Sequence, residues 1–159
     1  MMTARKTGIA LMVLAGANSA FAETPASIVS GYAAEAAKTT PGFAPSAKRG
    51  QSFFTKEWGM SQKMPNCTVC HGYNLKVDGK HVITDKRISP FAPAANPERF
   101  TSTAKVEKWF KRNCNEVAGR ECTAAEKADF IQFVIQGDNH EMAYSIRPDS
   151  GQHYGASGG

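Results

Sequence analysis

The apolar positions of this 159-residue chain fall into five patterns separated by polar or breaker-rich stretches. The first is an unbroken run, Gly8 to Gly16 (GIALMVLAG), lying between Arg5-Lys6 and Ala20-Phe21-Ala22. A bilayer span takes about 20 apolar residues, so this run is too short to cross one. A basic start, a short apolar core and a small-x-small ending are the marks of a secretory signal peptide, assigned to residues 1–22. The next pattern is helical. Over 24–38, Ile28, Val29, Tyr32 and Ala36 share one face, Thr24 is placed to cap and Pro25 suits the first helical position.

After the breaker-rich stretch 39–45 (TTPGFAP), Ser46 is placed to cap a second helix. On it Gly50 and Phe54 lie one turn apart, with Phe53 adjacent. A third helix is expected over 101–112 (TSTAKVEKWFKR), with Val106, Trp109 and Phe110 as its apolar stripe and a loop from Asn113 to Cys122 after it. Thr123-Ala124-Ala125-Glu126 has the spacing of a capping box. It opens a last helix that runs to about Gln136, turns Ala128, Phe130, Ile131, Val134 and Ile135 inward, and ends at Gly137. The pattern predicts an all-α domain over 23–137 with about four helices, followed by a loose polar tail at 138–159. No internal repeat is visible.

Trp58 to Phe100 breaks this order. The stretch holds Pro65, Gly72, Gly79, Pro90, Pro93 and Pro97 and few periodic runs. A loop of that length inside a compact domain needs something to pack on. A large apolar cofactor held covalently would meet that need.

Charge narrows the partners only a little. The whole chain carries +5, and removing the leader takes away Arg5, Lys6 and no acidic residue, which leaves +3. The basic residues are dispersed, so nucleic acid is not an expected partner and the surface reads as solvated with a mildly basic face. No other stretch reaches spanning length, and a soluble periplasmic protein is expected.

Export also frames the cysteines, because unused thiols outside the cytoplasm tend to pair. All four follow the leader, as Cys67/Cys70 and Cys114/Cys122. The first pair belongs to Cys67-Thr68-Val69-Cys70-His71. Two cysteines at this spacing form thioethers with the two vinyl groups of a haem, and the following histidine supplies an axial nitrogen to its iron. One covalent haem c is therefore expected, bound by Cys67, Cys70 and His71. A thioredoxin-like redox pair would lack its strand–helix context and leave His71 idle. A zinc site shared with Cys114 and Cys122 would have wide, irregular spacing. With Gly50 and Phe54 on an early helix, the motif after it and an aromatic helix at the end, the layout resembles the class I cytochrome c fold. The resemblance implies that Gly50 lets two helices approach closely, with Phe130 or Phe133 as its partner.

The sixth iron position decides the function. Met60 and Met64 precede the motif closely, and the next methionine, Met142, lies 71 residues beyond His71 in the tail with His140 and His153. His81 reads as a surface-loop residue beside Asp78 and Lys80. A methionine in the usual downstream loop is absent. What stands at the end of the 101–112 helix is Asn113, within Arg112-Asn113-Cys114 to Arg120-Glu121-Cys122-Thr123. With Ser27 to Tyr32, the haem motif and Ala94 to Lys111, this block resembles the oxygen-binding class I cytochromes known as sphaeroides haem proteins. The resemblance covers roughly residues 24–136. It implies that Asn113 is the distal axial ligand and that Cys114 pairs with Cys122. It also implies a dihaem c-type cytochrome and a membrane b-type cytochrome as redox partners.

An amide oxygen is a hard, weak donor, tolerable to ferric iron and poor for ferrous iron, so reduction would release Asn113 and open a site for a diatomic ligand, O₂ or NO. The competing expectation is a plain electron carrier with Met142 or His140 as sixth ligand. A third is a catalyst such as a peroxidase, which needs an acid–base group above the iron that only Arg112 or Arg120 approaches. Those arginines could equally meet haem propionates or lie on a solvated face. Pro90 or Pro93 could offer a carbonyl to orient the His71 ring, or serve as loop punctuation.

Overall fold

The computed structural model describes residues 22–137. The leader, the tail and the alternative ligands Met142, His140 and His153 lie outside the described residues. Five helices and one small hairpin run in the order α1 (Pro25–Ala37), α2 (Ala47–Thr55), α3 (Thr68–His71), β1 (Gly79–Lys80), β2 (Arg87–Ile88), α4 (Thr103–Ala118) and α5 (Ala124–Gln136). The protein is thus mostly helical. The hairpin is antiparallel, pairing Gly79 with Ile88 and Lys80 with Arg87.

Local chemistry sets the helix starts. The Thr24 hydroxyl accepts from Ser27 N, and the Ser27 side chain returns the bond to the Thr24 backbone. Thr123 and Glu126 make the same reciprocal box at α5, while Ser46 and Ser102 cap α2 and α4 singly. Each box satisfies two backbone donors that the first turn leaves open.

The core is built on α5, which packs against both α1 and α2. Phe54, Ile131, Phe133 and Val134 are fully buried within it. Phe130 gathers an aromatic cluster from three directions, with Phe54 at 5.8 Å, Phe91 at 5.3 Å and Phe110 at 5.8 Å between ring centroids. Ile135, expected inside, is only partly buried.

Gly50 marks where α2 crosses α5. A β-carbon there would stand 2.0 Å from the Asp129 carbonyl oxygen and 2.8 Å from Phe133 Cβ. On an open helix Gly→Ala stabilises by about 1 kcal/mol. Here the obstacle is backbone, which cannot swing aside. Gly50→Ala should therefore cost about 3 kcal/mol, the upper end for overpacking, read as a fall in the denaturant midpoint with an unchanged slope. A gain in stability would show that α2 and α5 are not this close.

Beside the crossing lies an ion pair between a buried carboxylate and an exposed guanidinium, which the sequence pattern did not signal. Asp129 accepts from Ser46 N at 2.7 Å and from Arg49 Nε and Nη2 at 2.7 and 2.8 Å. A carboxylate inside a core needs this full set of donors to offset its lost hydration. It locks the start of α2 onto α5, and so fixes where the chain leaves α2 toward the haem motif.

Two expectations about α4 are corrected. The helix continues six residues past 112 and ends at Ala118, so Asn113 and Cys114 lie inside it and not in a loop. Cys114 extends the buried row Val106, Phe110, Cys114 at four-residue spacing, which carries the helix on. Gly119, at φ 68°, stops it. Trp109, expected in the apolar stripe, is 47% exposed.

Candidate functional site

The Cys-x-x-Cys-His motif forms α3, a single turn of helix after the loop that leaves α2. The Asn66 side-chain oxygen starts the turn by accepting from Thr68 N at 3.1 Å and Thr68 Oγ1 at 2.6 Å. Gly72, at φ 66°, ends it with its N–H on the Thr68 carbonyl. The hairpin backs the motif closely. A β-carbon on Gly79 would lie 2.3 Å from the Cys70 carbonyl oxygen, so only glycine fits there. Val82 N also lies 3.4 Å from Cys70 Sγ.

Cys67 and Cys70 are both free thiols, partly buried, on this one turn. Burial pushes the Cys67 thiol up to about 12, and neighbouring Cys70 adds to the shift. Such a thiol is protonated at neutral pH and is a poor partner for thiol–disulfide exchange. A zinc reading fares no better. Cys114 and Cys122 are bonded to each other, and among the described residues no three His, Cys, Asp or Glu side chains gather to hold a metal.

His71 faces aromatic rings, with Phe91 at 4.0 Å and Phe54 at 6.4 Å between centroids. Burial drives its pKa down to about 4, helped by the charges of Arg99 and His81. The imidazole is therefore neutral at pH 7, and a neutral ring has the nitrogen lone pair that a metal requires. Two unpaired thiols and one neutral imidazole on a single turn suit a covalent haem.

Arg99 and Phe91 are the residues here that the sequence did not reveal. The Arg99 guanidinium lies 5.2 Å from the Phe91 ring centroid and donates from Nε to the Pro90 carbonyl at 2.8 Å. Asn96 Nδ2 donates to the same oxygen at 3.2 Å. The Pro90 carbonyl, a candidate for orienting His71, thus already holds two donors. Ala92 N donates to Leu75 O, tying this segment to the loop after the motif. An aromatic residue beside a breaker, with an arginine eight positions on, gives no periodic signal.

The other candidate residues lie at the end of α4. Asn113 is partly buried, one turn past Phe110, whose ring reaches Phe130. His71 reaches Phe130 through Phe91, so His71 and the Phe110 turn of α4 meet one aromatic cluster. The disulfide joins Cys114, inside α4, to Cys122, the residue before the α5 cap, with Cα atoms 5.7 Å apart. Replacing both cysteines with alanine should lower stability by about 2–3 kcal/mol, from the entropy of freeing a nine-residue loop. Equilibrium unfolding measures it, and an unchanged midpoint would mean that the loop needs no tie.

His81 is a turn residue, its Nδ1 accepting from Ile83 N and Thr84 N. Met60 lies against Gly119. Arg112 pairs with Glu116, and Arg120 holds Glu126 with both terminal nitrogens.

Known proteins are similar to this chain in sequence and fold. A family model described as a domain of unknown function (DUF1924) matches residues 41–134. The cytochrome c-type protein SHP of Cereibacter sphaeroides is 44% identical over 123 residues, which cover 77% of this chain and 91% of that protein. The structure of oxidized SHP, an oxygen-binding cytochrome c, superposes with a TM-score of 0.63 at 42% identity, over 73% of this chain and 99% of that one. Oxidized cytochrome c'' from Methylophilus methylotrophus gives a TM-score of 0.65 at 35% identity, over 70% and 92% of the two chains. A solution structure of the same cytochrome c'', concerned with haem-ligand detachment, gives 0.57 at 35% identity over 69% and 90%.

Proposed function

Because the chain belongs to the family of the cytochrome c-type protein SHP and the DUF1924 domain, we propose that it is a c-type cytochrome whose haem opens to a diatomic gas on reduction. Its cofactor is covalently attached haem c, as in its relatives. Bound haem supplies an iron that exchanges one electron and, when ferrous, takes up O₂ or NO.

The chain's own residues do the rest. Cys67 and Cys70 would hold the haem through thioether bonds, each thiol giving its sulfur to one vinyl carbon and its hydrogen to the other. His71 would bind the iron permanently through its neutral imidazole. Asn113 would offer an amide oxygen as the releasable ligand, a weak donor that suits ferric iron better than ferrous. Such a ligand blocks gas in one redox state and admits it in the other.

The observation that carries the reading is the placement of Asn113 next to Cys114. The residue is neither at a frayed helix end nor in a free loop, but one position before a disulfide that ties α4 to α5. A weak ligand that detaches must return to the same place on oxidation, and a fixed helix gives it that return. Export to the periplasm and docking with a dihaem c-type and a membrane b-type cytochrome complete the proposal. No helix among the described residues is long and apolar enough to cross a membrane.

Visible and EPR spectra of ferric and ferrous protein, with and without CO, test the reading. It expects a low-spin ferric form without a methionine–iron charge-transfer band, turning high-spin on reduction and binding CO at once. A low-spin ferrous form indifferent to CO would overturn it in favour of an electron carrier with Met142 or His140 as ligand.

A further inference from the structure

Trp58 lies in the loop between α2 and α3, and its ring packs edge-on against Phe53 at 5.4 Å between centroids. Its backbone is fixed by a 2.8 Å hydrogen bond from Trp58 N to the Pro65 carbonyl. The indole Nε1–H is nevertheless buried with no hydrogen-bond partner among the described residues. A buried donor without an acceptor is costly, and native proteins carry few of them unless something else in the assembled molecule supplies the acceptor.

The surroundings state the sign of that acceptor. Lys56 Nζ lies 4.2 Å from the indole centroid and the Arg120 guanidinium carbon 5.1 Å from it. Both draw on the ring's π-electrons. They leave the N–H a stronger donor and surround it with positive potential. The carboxylate nearest in the network, Glu126, is committed to Arg120 through both oxygens and to Thr123 N.

Position identifies the anion. The loop carrying Trp58 runs directly into Cys67, and its Met60 rests on Gly119, six residues beyond Asn113. It therefore bridges the attaching end of the haem site and the end that bears the releasable ligand. A covalently held haem carries two propionate carboxylates, which are anions of the kind this donor calls for. We infer that Trp58 donates its Nε1–H to a haem propionate, with Lys56 supplying the charge that keeps the propionate ionised. This rests on the proposed haem attachment and adds a positioning residue to it.

The test uses the holoprotein and a Trp58→Phe variant, which keeps an aromatic ring and removes only the donor. Haem that survives acid–acetone extraction in both establishes attachment first, so negative results then bear on Trp58 alone. In the ferrous CO form, hydrogen exchange of the indole N–H by NMR should be slowed at least about tenfold relative to exposed Trp109, the chain's other tryptophan. A hydrogen bond to the ionised form lowers a carboxyl pKa. In Trp58→Phe the ionisation seen in the pH dependence of the midpoint potential should therefore move upward, by about half a unit or more. Excess phosphate or acetate should change neither result. Exchange as fast as that of Trp109, or an unmoved titration in the variant, overturns the inference. Exchange that slows only when phosphate or acetate is added overturns it as well, since the acceptor would then be a solution anion.

Discussion

Replacing Cys67 and Cys70 together with alanine is expected to abolish retention of haem through acid–acetone extraction, where the parent protein should keep all of it. The single variants should each keep one thioether and hold the haem, with the pyridine haemochrome band displaced to the red by one unreacted vinyl group. The reasoning is chemical before it is structural. A thioether does not dissociate, whereas an axial nitrogen or an amide oxygen exchanges once the fold is lost. Cys67 is pushed up to about 12 by burial. The fold itself thus gives the sulfur no help toward becoming a thiolate. Attachment is therefore expected to need apparatus outside this chain, and expression without a c-type maturation system should give the same loss as the double variant.

The loss should spread beyond the cofactor. His71 packs on Phe91 and Phe54, and the loops from Trp58 to Phe100 have only one tiny hairpin of regular structure between α3 and α4. Core elsewhere rests on α1, α2 and α5. The double variant should therefore keep most of its helical circular dichroism while its near-ultraviolet signal and unfolding cooperativity fall. Haem recovered after extraction from the double variant would remove the thioether argument altogether.

Local features of the fold were legible in the sequence. Thr24, Ser46 and the Thr123 to Glu126 box announce helix starts through a hydroxyl three residues from its acceptor N–H, and all three caps form. Gly50 was legible too, because an interior helix glycine is unfavourable without a packing reason. The Asp129 to Arg49 pair was not, since its partners stand 80 residues apart and each looks alone like a surface charge. The end of α4 misled for a related reason. Asn113, Asn115 and Glu116 read as loop, yet the four-residue row ending in Cys114 is buried against the core, and Gly119 provides the stop. Arg99 and Phe91 came into view only when the loop was seen folded against His71. Sequence reasoning finds what repeats or caps; it does not find pairs that only the tertiary fold brings together.

Asn113→Ala should open the ferric state without changing the ferrous one. On the proposed reading an external ligand such as azide would have to displace the amide oxygen from ferric iron in the parent protein, so its apparent affinity would be reduced by the strength of that internal bond. Removing the amide should raise ferric azide affinity at least about tenfold, equal to about 1.4 kcal/mol of lost competition. The ferric spectrum should turn from low-spin to high-spin, and the ferrous CO association rate should stay within a factor of about two. That asymmetry separates a ligand from a helix residue. If Asn113 only steadied α4, alanine, the better helix former, would leave the ferric spectrum unmoved. If the variant instead stayed low-spin in both states, another side chain would hold the iron, and the tail ligands Met142 and His140 would be the ones to remove next. The disulfide adds a second axis to the same experiment. Opening Cys114–Cys122 keeps the amide but frees the end of the helix that presents it, so recapture on oxidation should slow while the final ferric spectrum is unchanged. A gate built from a weak bond needs a rigid frame to close again, and these two variants assign the bond to Asn113 and the frame to the disulfide separately.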